Sequence, residues 1–507
     1  MSAKPSAIAR SAVDADESAG QAGTQVGDDS RGDRQARPQV GDELELEVES
    51  LAFGGEGVAR LGEEGYVVFV AGAVPGDRVR AIVSRRKRSY ARAYTTAILR
   101  ASPERIPPRA EHPGVPWQVL PYERQLQVKR GQVDEALRRL GRVEGFELEE
   151  IVPAAQQWRY RNKLEYSFGT GQDGALVCGF HAPGGWKEVL PIGDCMLASE
   201  LGNRARELAL GWCREQGLSA RDRSVRSTDA APDGRARLRN LIVREGRRTG
   251  PKLQVRLVCT DGELDAGAFA LALSDELGEH LSGVLWTRLR SLAETTAGGE
   301  TELVWGEPEL PERLGELELR ISPQAFFQTN TEMAELLYGV VGEYAGLQGW
   351  ERVYDLYCGI GTIVLTLAPR AGELWGIELL EQAVSDAIAA ARRNDVTNAH
   401  FFAGDARLAL GELVRRAGRP DVLVVDPPRA GLSKKVVRRI IEAAPKRIVY
   451  VSCNPTTLAP NAAELGQAGW KLTRVRPVDM FPQTHHVECV ALLERNDGRR
   501  WPIGERI

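Results

Sequence analysis

The sequence predicts a multidomain chain whose C-terminal part is a doubly wound α/β domain closed by one antiparallel strand. Three observations predict it. The apolar runs 421–425, 447–451 and 487–492 are short, β-branched and bounded by Pro, Gly or Asn, as buried strands are. Helical patterns at about 434–442 and 456–467 separate the runs, which is the spacing of parallel crossovers. A further strand at about 470–475 reaches the last run through RPVDMFPQTHH with no helix between, so the last run must return antiparallel.

This topology has a chemical consequence. Ligands bind outside the carboxyl ends of the parallel strands in such a sheet. Asp426 follows the run 421–425 and Cys453 follows the run 447–451. An antiparallel last strand begins at that same edge, so Glu488 is expected to face Cys453.

At 507 residues the chain exceeds one core, and two to four domains are expected. The net charge of −4 does not by itself imply nucleic acid. The seven cysteines are scattered, with no CxxC pair, which argues against a disulfide framework and for a reducing cytoplasm. No run approaches the apolar length of a membrane span, and a soluble cytoplasmic protein is expected. Residues 1–37 contain no aromatic side chain and read as a disordered tail.

From 38 to 102 the pattern is of short strands with Gly and Pro turns, as in a small OB-like β-barrel. Arg78 to Arg100 contains eight basic residues and no acidic one, with Tyr90 and Tyr94 among them. Basic charge interleaved with aromatic faces is the footprint of single-stranded nucleic-acid binding, whereas a plain solvated edge strand is the bland alternative. GEGVAR, VFVAGAVPGDRV and the basic strand ending in SPER resemble the TRAM domain, which implies an RNA-binding barrel.

Residues 103–321 read as an α+β domain. Gln125–Leu140 has the pattern of an amphipathic helix with Val133, Leu137 and Leu140 on one face. WRYRNKLEYSFG sets Arg159, Arg161 and Lys163 beside aromatics, suited equally to phosphate contact and to structural ion pairs. LIVRE, LQVRLVCT, GVLWTRL, TELVWG and ELELRIS follow as strands.

The last domain spans 322–495. Gln328 precedes a helix that Asn330 or Thr331 would cap. In ERVYDLYCGIGTIVLTLA a strand ends at Asp355, and a turn with Gly359 and Gly361 opens a helix whose N-terminus favours polar or anionic groups. GELWGIELL ends a strand at Glu378, placed to hold ribose hydroxyls, and HFFAGDARL ends another at Asp405, where an adenine edge would lie. The third glycine of the dinucleotide fingerprint is missing and there is no GxxxxGK[ST], so S-adenosylmethionine fits better than NAD or ATP.

FFQTN, DLYCGIGT, DPPRAG, SCNP and HVE, in that order, resemble the RNA uridine-C5 methyltransferase family, and the resemblance runs from about Val40 to Leu493. It implies a Rossmann-like methyltransferase domain that uses S-adenosyl-L-methionine. It also implies that Cys453 is the nucleophile and Glu488 the general base. Gln328, Tyr357, Glu378 and Asp426 would bind cofactor or position the base. Thr362 stands where some members carry Asn. Many members hold an iron–sulfur cluster after the barrel, but here RAEHPGVPWQVLPYERQL places His112 and Val115 at expected cysteine positions, with Cys195 at the fourth. No iron–sulfur cluster and no metal ligands are therefore expected, because a cluster needs about four thiolates. The resemblance implies a structured RNA partner, ribosomal rather than transfer RNA, and a monomer is expected. Two rival readings are an amino-group methyltransferase, which needs no thiol, and a non-catalytic RNA-binding protein, which needs no cofactor.

Overall fold

The computed structural model describes residues 37–62, 65–182, 185, 187–224 and 229–496. The expected tail, apart from Arg37, lies outside them. No helix among the described residues is long and apolar enough to cross a membrane. The chain divides into two compact units, residues 1–107 with 119–121 and residues 108–118 with 122–507.

The first unit is a small barrel of strands β1 (Glu43–Glu47), β2 (Ser50–Leu51), β3 (Gly57–Leu61), β4 (Tyr66–Ala71), β5 (Arg78–Arg86) and β6 (Tyr90–Arg100). Their sheet order is β1-β5-β6-β4-β3-β2. Alternation sends Val68, Val70, Val79, Ala81, Val83, Ala91 and Ala93 inward to one apolar cluster. Asp77 is buried and fixes the turn, accepting from the amides of Val74 and Ser102 and pairing with Arg105 at 2.9 Å. The basic strand is less uniform than its sequence. Arg78, Arg80, Arg92 and Arg100 each pair with a glutamate of the barrel. The exposed cationic run is Arg85–Arg88, at the end of β5 and in the turn that leads to Tyr90 on β6.

The second unit begins with α1 (Tyr122–Glu135), which continues as a π-helical turn (Ala136–Leu140), and β7 (Glu147–Leu148). Val133 and Leu137 are fully buried, as the periodicity predicts. Leu140 is 60% exposed, because the wider π-turn rotates it off the stripe. The helix, read from sequence with the central region, packs instead on the C-terminal sheet, where β7 is the edge strand.

The central sheet contains β8 (Lys163–Thr170), β9 (Leu176–His181), β10 (Val189–Pro191), β11 (Leu238–Gly246), β12 (Lys252–Cys259), β13 (Leu281–Arg288) and β14 (Glu300–Gly306), in the order β10-β9-β8-β11-β12-β13-β14. The pair β12 and β13 is parallel and the others are antiparallel. Helices α2 (Glu200–Glu215) and α3 (Ala266–Leu277) cover one face through Ala205, Ala209, Phe269 and Leu273. Arg159 and Lys163 form ion pairs with Asp194 and Glu165, the structural one of the two roles their sequence allowed. A hairpin, β15 (Leu310–Leu314) and β16 (Leu317–Ile321), leads to α4 (Thr331–Ala345), capped by Asn330.

The C-terminal sheet is built from β17 (Arg352–Leu356), β18 (Glu373–Glu378), β19 (Ala399–Ala403), β20 (Val422–Val425), β21 (Arg447–Ser452), β22 (Trp470–Val478) and β23 (Glu488–Arg495). Its order is β19-β18-β17-β20-β21-β23-β22-β7. Helices α4, α5 (Thr362–Leu367) and α6 (Glu381–Arg393) pack on one face, and α1, α7 (Ala406–Ala417), α8 (Lys434–Ala443) and α9 (Pro455–Gln467) on the other. Strands buried on both faces account for the unbroken Val-Ile-Leu runs. β23 is antiparallel to both neighbours, as the missing crossover helix predicts.

Glu149 ties three elements together. It pairs with Arg474 at 2.5 Å and with Arg476, and Tyr344 Oη donates to it at 3.1 Å. The two arginines also pair with the more exposed Glu343. Glu149→Ala is expected to lower stability in urea denaturation by about 1–3 kcal/mol, because the shielded donors lose their acceptor. Glu343→Ala should cost ~0–1 kcal/mol.

Candidate active site

The carboxyl ends of five parallel strands lie along one sheet edge, and the sequence-predicted residues follow them. Tyr357 and the glycine turn follow β17, Glu378 ends β18, Asp405 follows β19, Asp426 follows β20 and Cys453 follows β21. The ladder between β21 and β23 runs as far as Ser452 opposite Cys489. Cys453 and Glu488 are the next residues on the two strands, so the register brings the thiol and the carboxylate together. Asn454 then caps α9 and donates through Nδ2 to the Arg429 carbonyl at 3.1 Å, which ties the Cys453 turn to the DPPR turn.

The glycine turn is held in an unusual backbone. Tyr357 has φ of 69°, and its amide and that of Cys358 both donate to the Ile377 carbonyl. A non-glycine residue in the left-handed region is strain that clusters at functional sites. Gly361 has φ of 80°, and a Cβ there would lie 2.8 Å from the Phe401 ring. Gly359 has φ of 54° and open space where a Cβ would be. Glu378 spans the turn, accepting from the Gly359 amide at 3.2 Å and from the amides of Leu379 and Leu380.

Other predicted residues are placed differently. Thr362 donates its hydroxyl to Tyr338 Oη at 3.1 Å and is buried. Asp405 sits at its strand end, but its carboxylate caps α7 through the Arg407 amide and pairs with the Arg407 side chain, which holds it down at about 2. Gln328 is buried before α4, with its carbonyl accepting from Asn162 Nδ2 at 2.8 Å.

Asp355 joins these residues, although no motif in the sequence assigns it a role. Its side chain is 1% exposed and both carboxylate oxygens are buried without a hydrogen-bond partner. The signal available was a carboxylate inside an otherwise apolar strand. Burial, then the charges of Asp426 and Glu378, push its pKa well up. Burial raises Asp426 to about 7, and burial followed by Asp426 raises Glu488. Tyr338, on α4, feels all three carboxylates. Cys453 is pushed up to about 11, by burial first and then by Glu488 and Asp426, while Arg429 opposes the rise. Arg429 also donates to His486 Nδ1 at 3.1 Å, and His485 stacks on His486 with ring centres 4.1 Å apart. Burial lowers the two imidazoles to about 4 and about 3, so both are neutral, and His486 holds Arg429 rather than carrying charge.

Such a sheet, with a glycine turn, an acidic strand end and buried carboxylates that would balance a cationic ligand, defines a methyltransferase fold. Family comparisons agree. Residues 309–496 match the model described as tRNA (Uracil-5-)-methyltransferase, and residues 37–95 match the TRAM domain. An uncharacterized RNA methyltransferase of Bacteroides thetaiotaomicron is 37% identical, covering 88% of this chain and 100% of its own. One from Gloeobacter violaceus is 37% identical over 90% and 97% of the two chains. The crystal structure of Pyrococcus abyssi tRNA (uracil-54, C5)-methyltransferase with S-adenosyl-L-homocysteine superposes with a TM-score of 0.70 at 27% identity, covering 89% of this chain and 99% of that one. The chain belongs to the S-adenosylmethionine-dependent RNA uracil-C5 methyltransferase family.

The position at which some members bind an iron–sulfur cluster does not fit one here. His112 Nδ1 accepts from the Gly114 amide at 3.0 Å, so its proton lies on Nε2, which meets Cys195 Sγ at 3.2 Å. Val115 is buried in the same apolar cluster and offers no donor. Two mutually satisfied side chains cannot supply a cluster's ligand set.

Cys453 is half-buried and the other six cysteines are buried, so iodoacetamide should label Cys453 selectively. Only the thiolate reacts, and a thiol raised to about 11 should alkylate ~tenfold faster per pH unit between pH 7 and 10. Arg429→Gln should slow labelling at fixed pH, because the opposing positive charge is lost. Peptide mass spectrometry over time checks both, and a pH-independent rate would contradict them.

Proposed function

We propose that the protein transfers a methyl group from S-adenosylmethionine to C5 of a uridine in a structured RNA, through a covalent bond between Cys453 and uracil C6. One observation carries this reading: the β21–β23 register leaves Cys453 beside Glu488 at the ligand edge of the sheet. Uracil C5 is too weak a nucleophile to take a methyl group unaided. Addition of the Cys453 thiolate to C6 moves the C5=C6 electron pair onto C5, which then takes the methyl group as the sulfonium S–CH3 bond breaks and its electron pair returns to sulfur, leaving S-adenosylhomocysteine. The cosubstrate supplies a sulfonium-activated methyl and a positive charge against the carboxylates. Ionised Glu488 removes the C5 proton, the C5=C6 pair re-forms, and the S–C6 bond breaks to release the thiolate. Asp426 and Gln328 are assigned to the uracil edge. Tyr357, Gly359, Gly361, Thr362, Glu378 and the strand end at Asp405 are assigned to the cosubstrate.

The signs of the pKa shifts set the pH dependence. Burial raises Glu488 above the usual carboxylate range and Cys453 to about 11, and both must lose protons to act. Turnover therefore rises with pH. The target base must leave its stack to reach the site, so an accessible loop in a folded RNA is the substrate class.

Ribosomal RNA is the target we favour, by the resemblance of barrel-bearing members. Transfer RNA is a second reading, favoured by the likeness over 89% of the chain to the Pyrococcus transfer-RNA enzyme. The exposed run Arg85–Arg88 beside Tyr90 suits a phosphate backbone in either. We further propose that the enzyme acts as a monomer in the cytoplasm. Mass-spectrometric mapping of 5-methyluridine in both RNA pools of a deletion strain separates the targets. Loss of the mark from neither would count against the reading.

Glu488→Gln should trap a protein–RNA adduct on a denaturing gel, since methyl transfer proceeds while proton removal slows by ~10²–10⁴. Glu488→Gln/Cys453→Ala should show none. Normal turnover by Glu488→Gln would place the base elsewhere.

A further inference from the structure

The segment 479–487, which delivers Glu488 to the sheet, is fastened along its length by side chains and backbone of distant elements. Asn330 donates to the Met480 carbonyl at 2.9 Å, Lys129 to the Phe481 carbonyl at 3.0 Å and Tyr160 Oη to the Pro482 carbonyl at 3.1 Å. The Trp117 amide donates to the Gln483 carbonyl at 3.0 Å. The Gln125 amide group holds Gln483 twice, donating to its Oε1 at 2.8 Å and accepting from its backbone N–H at 2.9 Å. Gln483 itself has φ of 65°, a conformation that needs such support. Asp479 is fully buried, with Lys129 Nζ at 2.5 Å from Oδ1 and Tyr122 Oη at 2.8 Å from Oδ2.

Three of these anchors, Tyr122, Gln125 and Lys129, lie on one stripe of α1 at helical spacing, continued by Val133 and Leu137 in the core. The helix thus presents a polar half to the segment and an apolar half to the sheet. Lys129 and Asp479 have no side-chain exposure. A buried ion pair is weak evidence for stability, since apolar residues of similar volume often do as well or better. What apolar residues cannot reproduce is the Lys129 bond to the Phe481 carbonyl and the two-fold grip of Gln125 on Gln483.

We propose that Lys129 and Gln125 are positioning residues for the proton-removing step: by immobilising residues 479–487 they hold the Glu488 carboxylate in register with C5 of the methylated base. The inference rests on the uracil-C5 reading for its catalytic consequence, and on the geometry alone for the immobilisation. Misplacement of a reacting group by about 1 Å costs ~10²-fold in rate. The effect should fall on loss of the C5 proton, because Cys453 and the glycine turn stand on other strands.

The test uses the full chain with two variants, Lys129→Met/Asp479→Leu, which removes the ion pair without leaving a lone buried charge, and Gln125→Met. Hydrogen–deuterium exchange should show amides of 479–487 exchanging at least ~tenfold faster, with the cosubstrate strands 352–378 unchanged. With RNA carrying tritium at uracil C5, tritium release should slow by ~10²-fold. Methyl transfer in a single turnover and S-adenosylmethionine affinity by calorimetry should stay within about threefold, so adduct accumulates. Wild-type exchange in 479–487 in the folded variants would overturn the proposal. So would parallel losses of cosubstrate affinity, methyl transfer and tritium release, which mark a merely structural role. Should the double variant fail to fold, Gln125→Met decides by the same readouts. Absence of tritium release from the wild-type protein would instead overturn the uracil reading, while the exchange data still decide the immobilisation.

Discussion

β23 runs between β21 and β22 in the direction opposite to both, and this reversal governs the site. A parallel strand in that position would start at the far edge of the sheet, about a strand length from the ligand. Reversed, it starts where the others end, and the ladder stops with Cys453 and Glu488 as neighbours. Parallel strands bring their carboxyl ends to a ligand. A single antiparallel insertion adds a residue from a strand beginning, which lets one sheet edge carry both a thiol and a carboxylate facing it.

The same packing sets the electrostatics. Asp355, Asp426 and Glu488 are crowded into one shielded region with Tyr338 and the Cys453 thiol, and burial drives each toward its neutral form. Arg429, steadied by a neutral His486, is the positive group that opposes this at Cys453 and Glu488. Entry of a cationic ligand would oppose these shifts and favour the ionised forms.

The fold of the C-terminal domain was legible because its signals are local. β-branched runs marked the strands, and the absence of a helix between Val478 and Glu488 marked the reversal. Cys453, Glu488, Asp426 and the glycine turn were readable because strand ends are readable. What escaped depends on distant partners. The placement of α1 and β7 on the C-terminal sheet rests on pairing of Leu148 with Val475, which no local pattern encodes. Leu140 left its expected face because a π-turn changes the period, and a period cannot announce its own defect. Half the basic residues between Arg78 and Arg100 proved to be paired, since their glutamate partners lie elsewhere in the barrel, on β1 and just before β3. The sequence assigned no role to Tyr122, Gln125 and Lys129, because their partners Asp479 and Gln483 lie about 350 residues further along the chain.

The most direct test of covalent catalysis at this edge uses RNA in which uridine is replaced by 5-fluorouridine. Fluorine at C5 cannot leave as a proton would, so the intermediate should stall after methyl transfer in the unmodified enzyme. Tryptic digestion and tandem mass spectrometry of the complex should locate a methylated fluorouridine on the fragment from Ile448 to Lys471, at Cys453, the one cysteine in it. An adduct mapped to Cys358 or Cys489, or cosubstrate-dependent methylation with no adduct at all, would contradict the mechanism.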